Sequence, residues 1–228
     1  MTPTPGFQEI YANHVRGGYC WTMAVNQRIG AVIAAAAIRA GISPNQLTLA
    51  GVICALATVP IVLLLSSAPV PAGLALFFGM QLAYSLDCAD GQVARALHCS
   101  TRSGAVLDLI CDYVSHVCVA VIVLALPGVS PAGRAGGVTG VLLTAGLTAL
   151  VFFETLAGGV EGTGELKYRR PGVWLRQGAD YGVQTAAVAI AIGTGRPRLV
   201  LGTAVAIAFY NVALVCYRLV HLPAEPQG

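Results

Sequence analysis

Long apolar runs, separated by short polar segments, constrain this sequence more than any other feature. Most of them approach the roughly 20 residues that an α-helix needs to cross a bilayer. The alternation of polar and apolar residues that is typical of membrane β-barrel strands is absent. The sequence therefore predicts an all-α integral membrane protein with six transmembrane helices, at 47–66, 71–97, 104–126, 136–157, 181–194 with some extension, and 199–219.

The composition excludes a water-soluble domain. Hydrophobic residues make up 56% of the chain and charged residues 10%, and the mean hydropathy is +0.74. A soluble domain has roughly 25% charged residues, which it needs to avoid large exposed apolar patches. A net charge of +3, spread along apolar runs, also forms no basic stripe for nucleic acid. Membrane lipids are therefore the expected surroundings, and no nucleic-acid partner is expected.

The segment before the first span predicts a different kind of helix. The apolar stretch 29–38 is too short to cross a bilayer, so it predicts a juxtamembrane helix lying in the interface. The first dozen residues, with Pro3 and Pro5, are expected to be mobile. These features divide the chain into an N-terminal cytoplasmic and interfacial segment (1–46), a six-helix transmembrane domain (47–220) and a short tail (221–228).

Basic residues predict the orientation of the helices. When both termini are placed in the cytoplasm, the external loops retain only Arg134, Arg196 and Arg198, and every other Lys and Arg lies inside. This asymmetry agrees with the positive-inside rule. We therefore expect a multi-pass protein of the plasma membrane with cytoplasmic termini.

Four of the five aspartates lie at the facing ends of the second and third predicted spans. Charged side chains at membrane depth are costly and generally mark function. Asp87 and Asp90 are three residues apart, and Asp108 and Asp112 are four apart, so each pair projects from one face of a helix. A helical hairpin would aim all four carboxylates at one point, where protons or cations must neutralise them.

The ligand chemistry favours a hard divalent cation. Mg²⁺ and Mn²⁺ prefer carboxylate oxygens, and no His or Cys pattern provides a softer site. Two such ions would form a clamp suited to phosphoryl or phosphatidyl displacement. A cation or proton transporter would also cluster aspartates, so the carboxylates alone leave both functions open. The neighbouring residues favour chemistry, because Gly91, Ala94 and Gly104 permit close approach of a ligand and Arg95 matches phosphate oxygens.

This hairpin resembles the signature of the CDP-alcohol phosphotransferase (phosphatidyltransferase) family, D-x2-D-G-x2-A-R-x8-G-x3-D-x3-D. Every fixed position is matched, by Asp87, Asp90, Gly91, Ala94, Arg95, Gly104, Asp108 and Asp112. The segment 43–48 also resembles the usual start of the family's first span. The resemblance covers approximately 29–219.

The resemblance implies an enzyme that transfers a substituted phosphate from a CDP-linked donor to an alcohol and releases CMP. It implies two divalent ions, Mg²⁺ or Mn²⁺, on the cytoplasmic side. By similarity, Asp87, Asp90 and Asp108 are metal ligands, and Asp112 shares the second metal and is the candidate general base. The implied donor is CDP-diacylglycerol, as in phospholipid biosynthesis, although a CDP-polyol or CDP-choline-like donor would use the same residues. Family members commonly form homodimers.

Several of the remaining site residues have two interpretations. Gly91, Ala94, Arg95 and Gly104 map onto the family's nucleotide-side positions, while Asn45 and Thr48 either line that site or cap the first span. Candidates for the acceptor pocket are Lys167, Arg169, Arg170 and Asp180. The favoured explanation for the three basic residues is a cytoplasmic connection with positive-inside charge, and for Asp180 it is a stabilising carboxylate at a helix N-terminus. His116 lies one turn beyond Asp112 and is expected to be a partnered core histidine.

Overall fold

The computed structural model describes residues 5–15, 18–130, 133–157 and 177–220, and within these ranges it contains helices and turns but no β-strand. The all-α prediction is therefore confirmed for the described residues. A π-helical turn at Thr22–Asn26 leads directly into the second helix. The α-helices are α1 (Phe7–Asn13), α2 (Gln27–Ala40), α3 (Pro44–Leu64), α4 (Pro69–Ala96), α5 (Arg102–Ala125), α6 (Gly133–Ala157), α7 (Tyr181–Gly193) and α8 (Pro197–Val220).

Five of these helices are long and apolar enough to cross a membrane, namely α3, α4, α5, α6 and α8. They indicate a multi-pass membrane protein. The sixth predicted span corresponds to α7, which is apolar but has only 13 residues. At a rise of 1.5 Å per residue it is about 20 Å long, which is less than the hydrocarbon thickness of about 30 Å. The structure thus supports five spans, and the count of six stays a prediction.

The start of α3 is set by a capping box. Ser43 has an extended backbone, and its hydroxyl accepts a hydrogen bond from the Gln46 amide while the Gln46 side chain accepts one from the Ser43 amide, at 2.8 Å. Pro44 occupies the first helical position, where its missing N–H costs nothing. The suggestion that Asn45 or Thr48 caps this helix is therefore wrong. Both residues lie inside the first turns of α3 instead.

The helix α4 is the centre of the bundle, because α2, α3 and α7 all pack against it. Its residues Leu76 and Met80 are completely buried in the main core, together with Ile122 of α5. The outward faces of the long helices remain apolar, as shown by Leu64 (82% exposed) and Phe209 (76% exposed). Such faces suit contact with lipid rather than water.

The N-terminal segment packs on the same end of α4 that carries the aspartates. A Cβ atom on Gly30 of α2 would lie 3.0 Å from the Cβ atom of Cys88 and 3.2 Å from the backbone nitrogen of Ala89, so the two helices are in close backbone contact. In α1, Ile10 is completely buried in a second apolar cluster that includes Val93 of α4. The expectation of a mobile N-terminus is therefore wrong for 7–13, where a packed helix forms.

Candidate metal and nucleotide site

A tight connection brings the aspartate-bearing ends of α4 and α5 together. His98 adopts a left-handed backbone (φ 51°), and the Cys99 amide donates to the Ala94 carbonyl at 3.0 Å, which closes the end of α4. The next helix begins at once, because the Thr101 hydroxyl accepts a hydrogen bond from the Gly104 amide at 3.0 Å. We call the unit from 87 to 112 the signature hairpin.

Three of the four aspartates form a carboxylate cluster, which consists of Asp87, Asp90 and Asp108. One oxygen of each lies within 4.8 Å of one oxygen of both others. Asp90 is only 5% exposed, and the Oδ1 atom of Asp108 is buried without a hydrogen-bond partner. A buried carboxylate oxygen without a partner is costly unless a proton or a cation compensates it. The cluster therefore fits a hard divalent cation, whose preferred ligands are carboxylate oxygens.

Asp112 lies beside this cluster rather than within it. It lines a small cavity together with Asp87, and we call this space the Asp112 cavity. The sequence predicted four carboxylates at one point, whereas the structure brings three into mutual contact distance and places the fourth in the adjoining space. His116 is partnered as expected, since its Nδ1 atom donates to the backbone carbonyl of Asp112 at 2.9 Å.

The start of α3 faces the signature hairpin. Thr48 is buried, and its hydroxyl donates a hydrogen bond to the carboxylate of Asp90. The side-chain oxygen of Asn45 lies 3.3 Å from the position that a Cβ atom on Gly104 would occupy. Thr48 therefore contacts the carboxylate cluster and Asn45 lies against the start of α5, although both are far from the signature hairpin in the sequence.

Arg95 lies over Gly91. A Cβ atom at Gly91 would be 2.9 Å from one terminal guanidinium nitrogen of Arg95 and 3.4 Å from the other, so the glycine provides the space for this group. The Nε atom of Arg95 donates to the backbone carbonyl of His14 at 2.6 Å. Ala94 is half-buried beside it on α4.

A model of the CDP-alcohol phosphatidyltransferase family matches residues 41–192, which include the whole signature hairpin and most of the chain. The chain belongs to this family. The resemblance found in the aspartate pattern is thereby confirmed, and the protein is a transferase by family. No curated protein matches the chain.

Of the acceptor candidates in this phosphatidyltransferase-family protein, only Asp180 lies within the described residues. Asp180 is completely buried and forms the N-cap of α7, where its Oδ1 atom accepts from the Gly182 amide at 2.8 Å. Its Oδ2 atom accepts from the amide and the hydroxyl of Thr22, at 2.9 and 2.8 Å. Its oxygens are thus engaged by protein donors. Lys167, Arg169 and Arg170 lie outside the described residues.

Several residues of the Asp112 cavity were missed by the sequence analysis. Tyr84, Ser115 and Tyr181 line it, and the rings of Tyr84 and Tyr181 meet edge to face with centroids 5.5 Å apart. The hydroxyl of Tyr181 donates to the Ser115 carbonyl at 3.2 Å. Tyr84 and Ser115 are each three residues from an aspartate, so helical spacing could have found them. Tyr181 comes from another helix, and no local pattern marks it.

Proposed function

We propose that this protein transfers a phosphatidyl group from CDP-diacylglycerol to an alcohol and releases CMP, as a step of phospholipid biosynthesis. The observation that carries the proposal is the carboxylate cluster on the signature hairpin of a CDP-alcohol phosphatidyltransferase family member. The apolar helices around the cluster support a donor that is itself a membrane lipid.

The proposed metal ligands are Asp87, Asp90 and Asp108, with Asp112 at the edge of the site. Their oxygens would hold two divalent ions, Mg²⁺ or Mn²⁺, and the unpartnered Oδ1 atom of Asp108 supports this role. When bound, the ions would supply positive charge that offsets the charge developing on the donor diphosphate.

Asp112 is the proposed general base. In the reaction, the acceptor oxygen forms a bond to the phosphorus of the phosphatidyl group, the bond from that phosphorus to the CMP oxygen breaks, and the alcohol proton passes to Asp112. The position of Asp112 in a cavity next to the carboxylate cluster supports this role. Tyr84 and Tyr181 line that cavity, where they would limit the access of water to the donor.

The nucleotide end of the donor is assigned to residues of α3, α4 and α5 around the cluster. Arg95 presents a planar fork that matches phosphate oxygens, and Gly91 and Ala94 leave room beside it. Asn45, Thr48 and Gly104 complete this side. The acceptor is an alcohol, and Lys167, Arg169, Arg170 and Asp180 remain candidates for its pocket. Asp180 would contribute by holding the start of α7, which carries Tyr181 of the Asp112 cavity.

The packing of the N-terminal segment supports a proposal for the placement in the membrane. This segment packs on the end of α4 that carries the signature hairpin, and we propose that both lie on one side of the membrane. We assign that side to the cytoplasm, with 47–220 as the six-helix catalytic domain, 1–46 as a cytoplasmic and interfacial segment, and 221–228 as a tail. The assigned compartment is the plasma membrane, and the assigned assembly is a homodimer.

The test is a product assay with the purified full-length protein in detergent. The protein is incubated with CDP-diacylglycerol, Mg²⁺ or Mn²⁺ and a panel of alcohols, and CMP and lipid products are identified by mass spectrometry. We expect CMP together with one new phosphatidyl alcohol, and no product when a chelator removes the divalent ions. Turnover of a soluble CDP-alcohol in place of CDP-diacylglycerol would overturn the donor assignment, and absence of CMP with every donor would overturn the function.

A further inference from the structure

The C-terminal end of α1 contacts Arg95, an arginine of the proposed site. His14 follows its last turn, and the His14 amide donates to the Ile10 carbonyl at 2.9 Å. The carbonyl of a residue at a helix end has no partner within the helix and must find a donor elsewhere. Here the donor is the Nε atom of Arg95, at 2.6 Å, from a residue 81 positions later in the chain.

Several contacts fix α1 in this position. Ile10 is 0% exposed and packs in the apolar cluster that includes Ala34 of α2 and Val93 of α4. The hydroxyl of Tyr11 donates to the Met23 carbonyl at 3.2 Å. The guanidinium group of Arg28 lies 5.8 Å from the centroid of the Tyr11 ring. A seven-residue helix is marginal on its own, so this packing is what holds the His14 carbonyl in place.

The contact constrains the direction of the Arg95 side chain. A guanidinium group is planar and carries its N–H groups in a fixed fork, so holding the Nε edge sets the plane of the whole group. Both terminal nitrogens of Arg95 lie over Gly91, the residue that follows Asp90 in the sequence. A phosphate that binds to this fork therefore meets a group whose orientation is already set, and less ordering is needed on binding.

We infer that α1 is a positioning element for the CDP-linked donor, and that Ile10 and the His14 carbonyl act through Arg95. The inference rests on the proposed function, since it assigns Arg95 to the diphosphate of the donor. It gives 5–15 a role in substrate affinity, in addition to any role in folding. Neither Ile10 nor His14 touches the carboxylate cluster or the Asp112 cavity in the described structure.

The experiment compares two substitutions on the same turn of α1 in the full-length protein. Ile10→Asp places a charge in the apolar cluster and releases α1, whereas Gln8→Asp places the same charge on the exposed face. For Ile10→Asp we expect the donor KM to rise about tenfold, the change expected from losing one hydrogen bond to a charged group. The kcat should stay within about threefold of wild type, because the reacting groups are untouched. Gln8→Asp should match wild type.

A double-mutant cycle separates positioning from general loss of structure. In an Arg95→Ala background, Ile10→Asp should change the donor KM by less than about twofold, because the group through which it acts is gone. Ile10→Ala provides the same comparison if Ile10→Asp does not fold, and limited proteolysis within 5–15 shows whether α1 has been released.

Two results would overturn the inference. One is a donor KM of the Ile10 variants equal to that of Gln8→Asp although proteolysis shows that α1 is released. The other is an equal rise of the KM with and without Arg95. A wild-type protein that releases no CMP from any donor would instead refute the proposed function, and the inference would fall with it.

Discussion

Two acidic regions of this bundle differ in the partners of their buried carboxylates. On the signature hairpin, Asp87, Asp90 and Asp108 approach one another within 4.8 Å, and one buried oxygen of Asp108 has no hydrogen-bond partner. At the start of α7, Asp180 is also buried, but it accepts hydrogen bonds from Thr22 and Gly182. The first arrangement requires protons or cations to neutralise its charge, whereas the second is satisfied by donors within the protein.

The difference shows that burial of an acid in a membrane protein does not by itself identify a reactive group. What separates the two regions is the balance of donors and acceptors around each carboxylate. An acid that the protein's own N–H and O–H groups satisfy stabilises the fold. An acid surrounded by other acids is unfavourable until protons or cations neutralise it, which makes such a cluster a candidate functional site.

The strongest test of this contrast is Asp87→Asn. The substitution removes one ligand of the carboxylate cluster, so we expect turnover to fall by about three orders of magnitude, comparable with the loss of a group that stabilises transition-state charge. Stabilisation of the protein by CDP with Mn²⁺, measured as the shift in melting temperature in detergent, should shrink as well. The melting temperature without ligands should not fall, because a like-charge repulsion is relieved. A clear drop in that value would place Asp87 with the structural acids.

The next test separates Asp112 from the cluster. Asp112→Asn should reduce kcat by about two orders of magnitude, since a general base is lost while its surroundings keep their shape. The melting-temperature shift caused by CDP with Mn²⁺ should remain close to that of wild type, because the cluster of three is intact. Near-normal release of CMP by this variant would refute the base assignment.

The opposite behaviour is expected for Asp180→Asn. An amide accepts hydrogen bonds through one oxygen only, so either Thr22 or Gly182 loses its partner, and the free energy of unfolding should fall by about 2 kcal/mol. Thermal unfolding in detergent measures this loss, and Thr22→Val should reproduce part of it. The stabilisation by CDP with Mn²⁺ should persist in both variants. Selective loss of activity at full stability would show that Asp180 contacts the acceptor instead.

The smallest effect concerns the connection within the signature hairpin. His98 is the only non-glycine residue with a positive φ in the described part of the chain. Since a left-handed backbone costs a non-glycine residue about 1 kcal/mol, His98→Gly should raise the free energy of unfolding by about that amount. Turnover should be unchanged. Arg102→Gly, at an exposed residue on the helical side of the connection, is the control for substitution by glycine. A lower kcat would mean that the imidazole takes part in the reaction.

The hairpin was predictable because all its information is local. Helical spacing alone places Asp87 with Asp90 and Asp108 with Asp112, and the short connection forces the two pairs together. The start of α3 shows how local reasoning can fail even at short range. Several polar residues lie near that helix start, and only the backbone conformation at Ser43 decides which of them is the cap.

Contacts between distant segments were not predictable. The pairing of Thr22 with Asp180 joins residues 158 positions apart, and that of His14 with Arg95 joins residues 81 apart. No periodicity in one sequence encodes such pairs.

The helix α1 was missed for a related reason, because only Ile10 is buried in it and its stability comes from packing against other helices. The predicted range 181–194 differs from α7 by one residue, but the helix does not extend further at its C-terminal end, because Thr194, Gly195 and Arg196 follow it.

The pairing of Thr22 with Asp180 also sets an order for biogenesis. Ribosomes synthesise chains from the N-terminus, so Thr22 emerges 158 residues before its carboxylate partner. Until then, its amide and hydroxyl must rely on water or other temporary partners. Tyr181, which lines the Asp112 cavity, belongs to the same late helix, so this wall of the cavity is completed only after α7 has been synthesised.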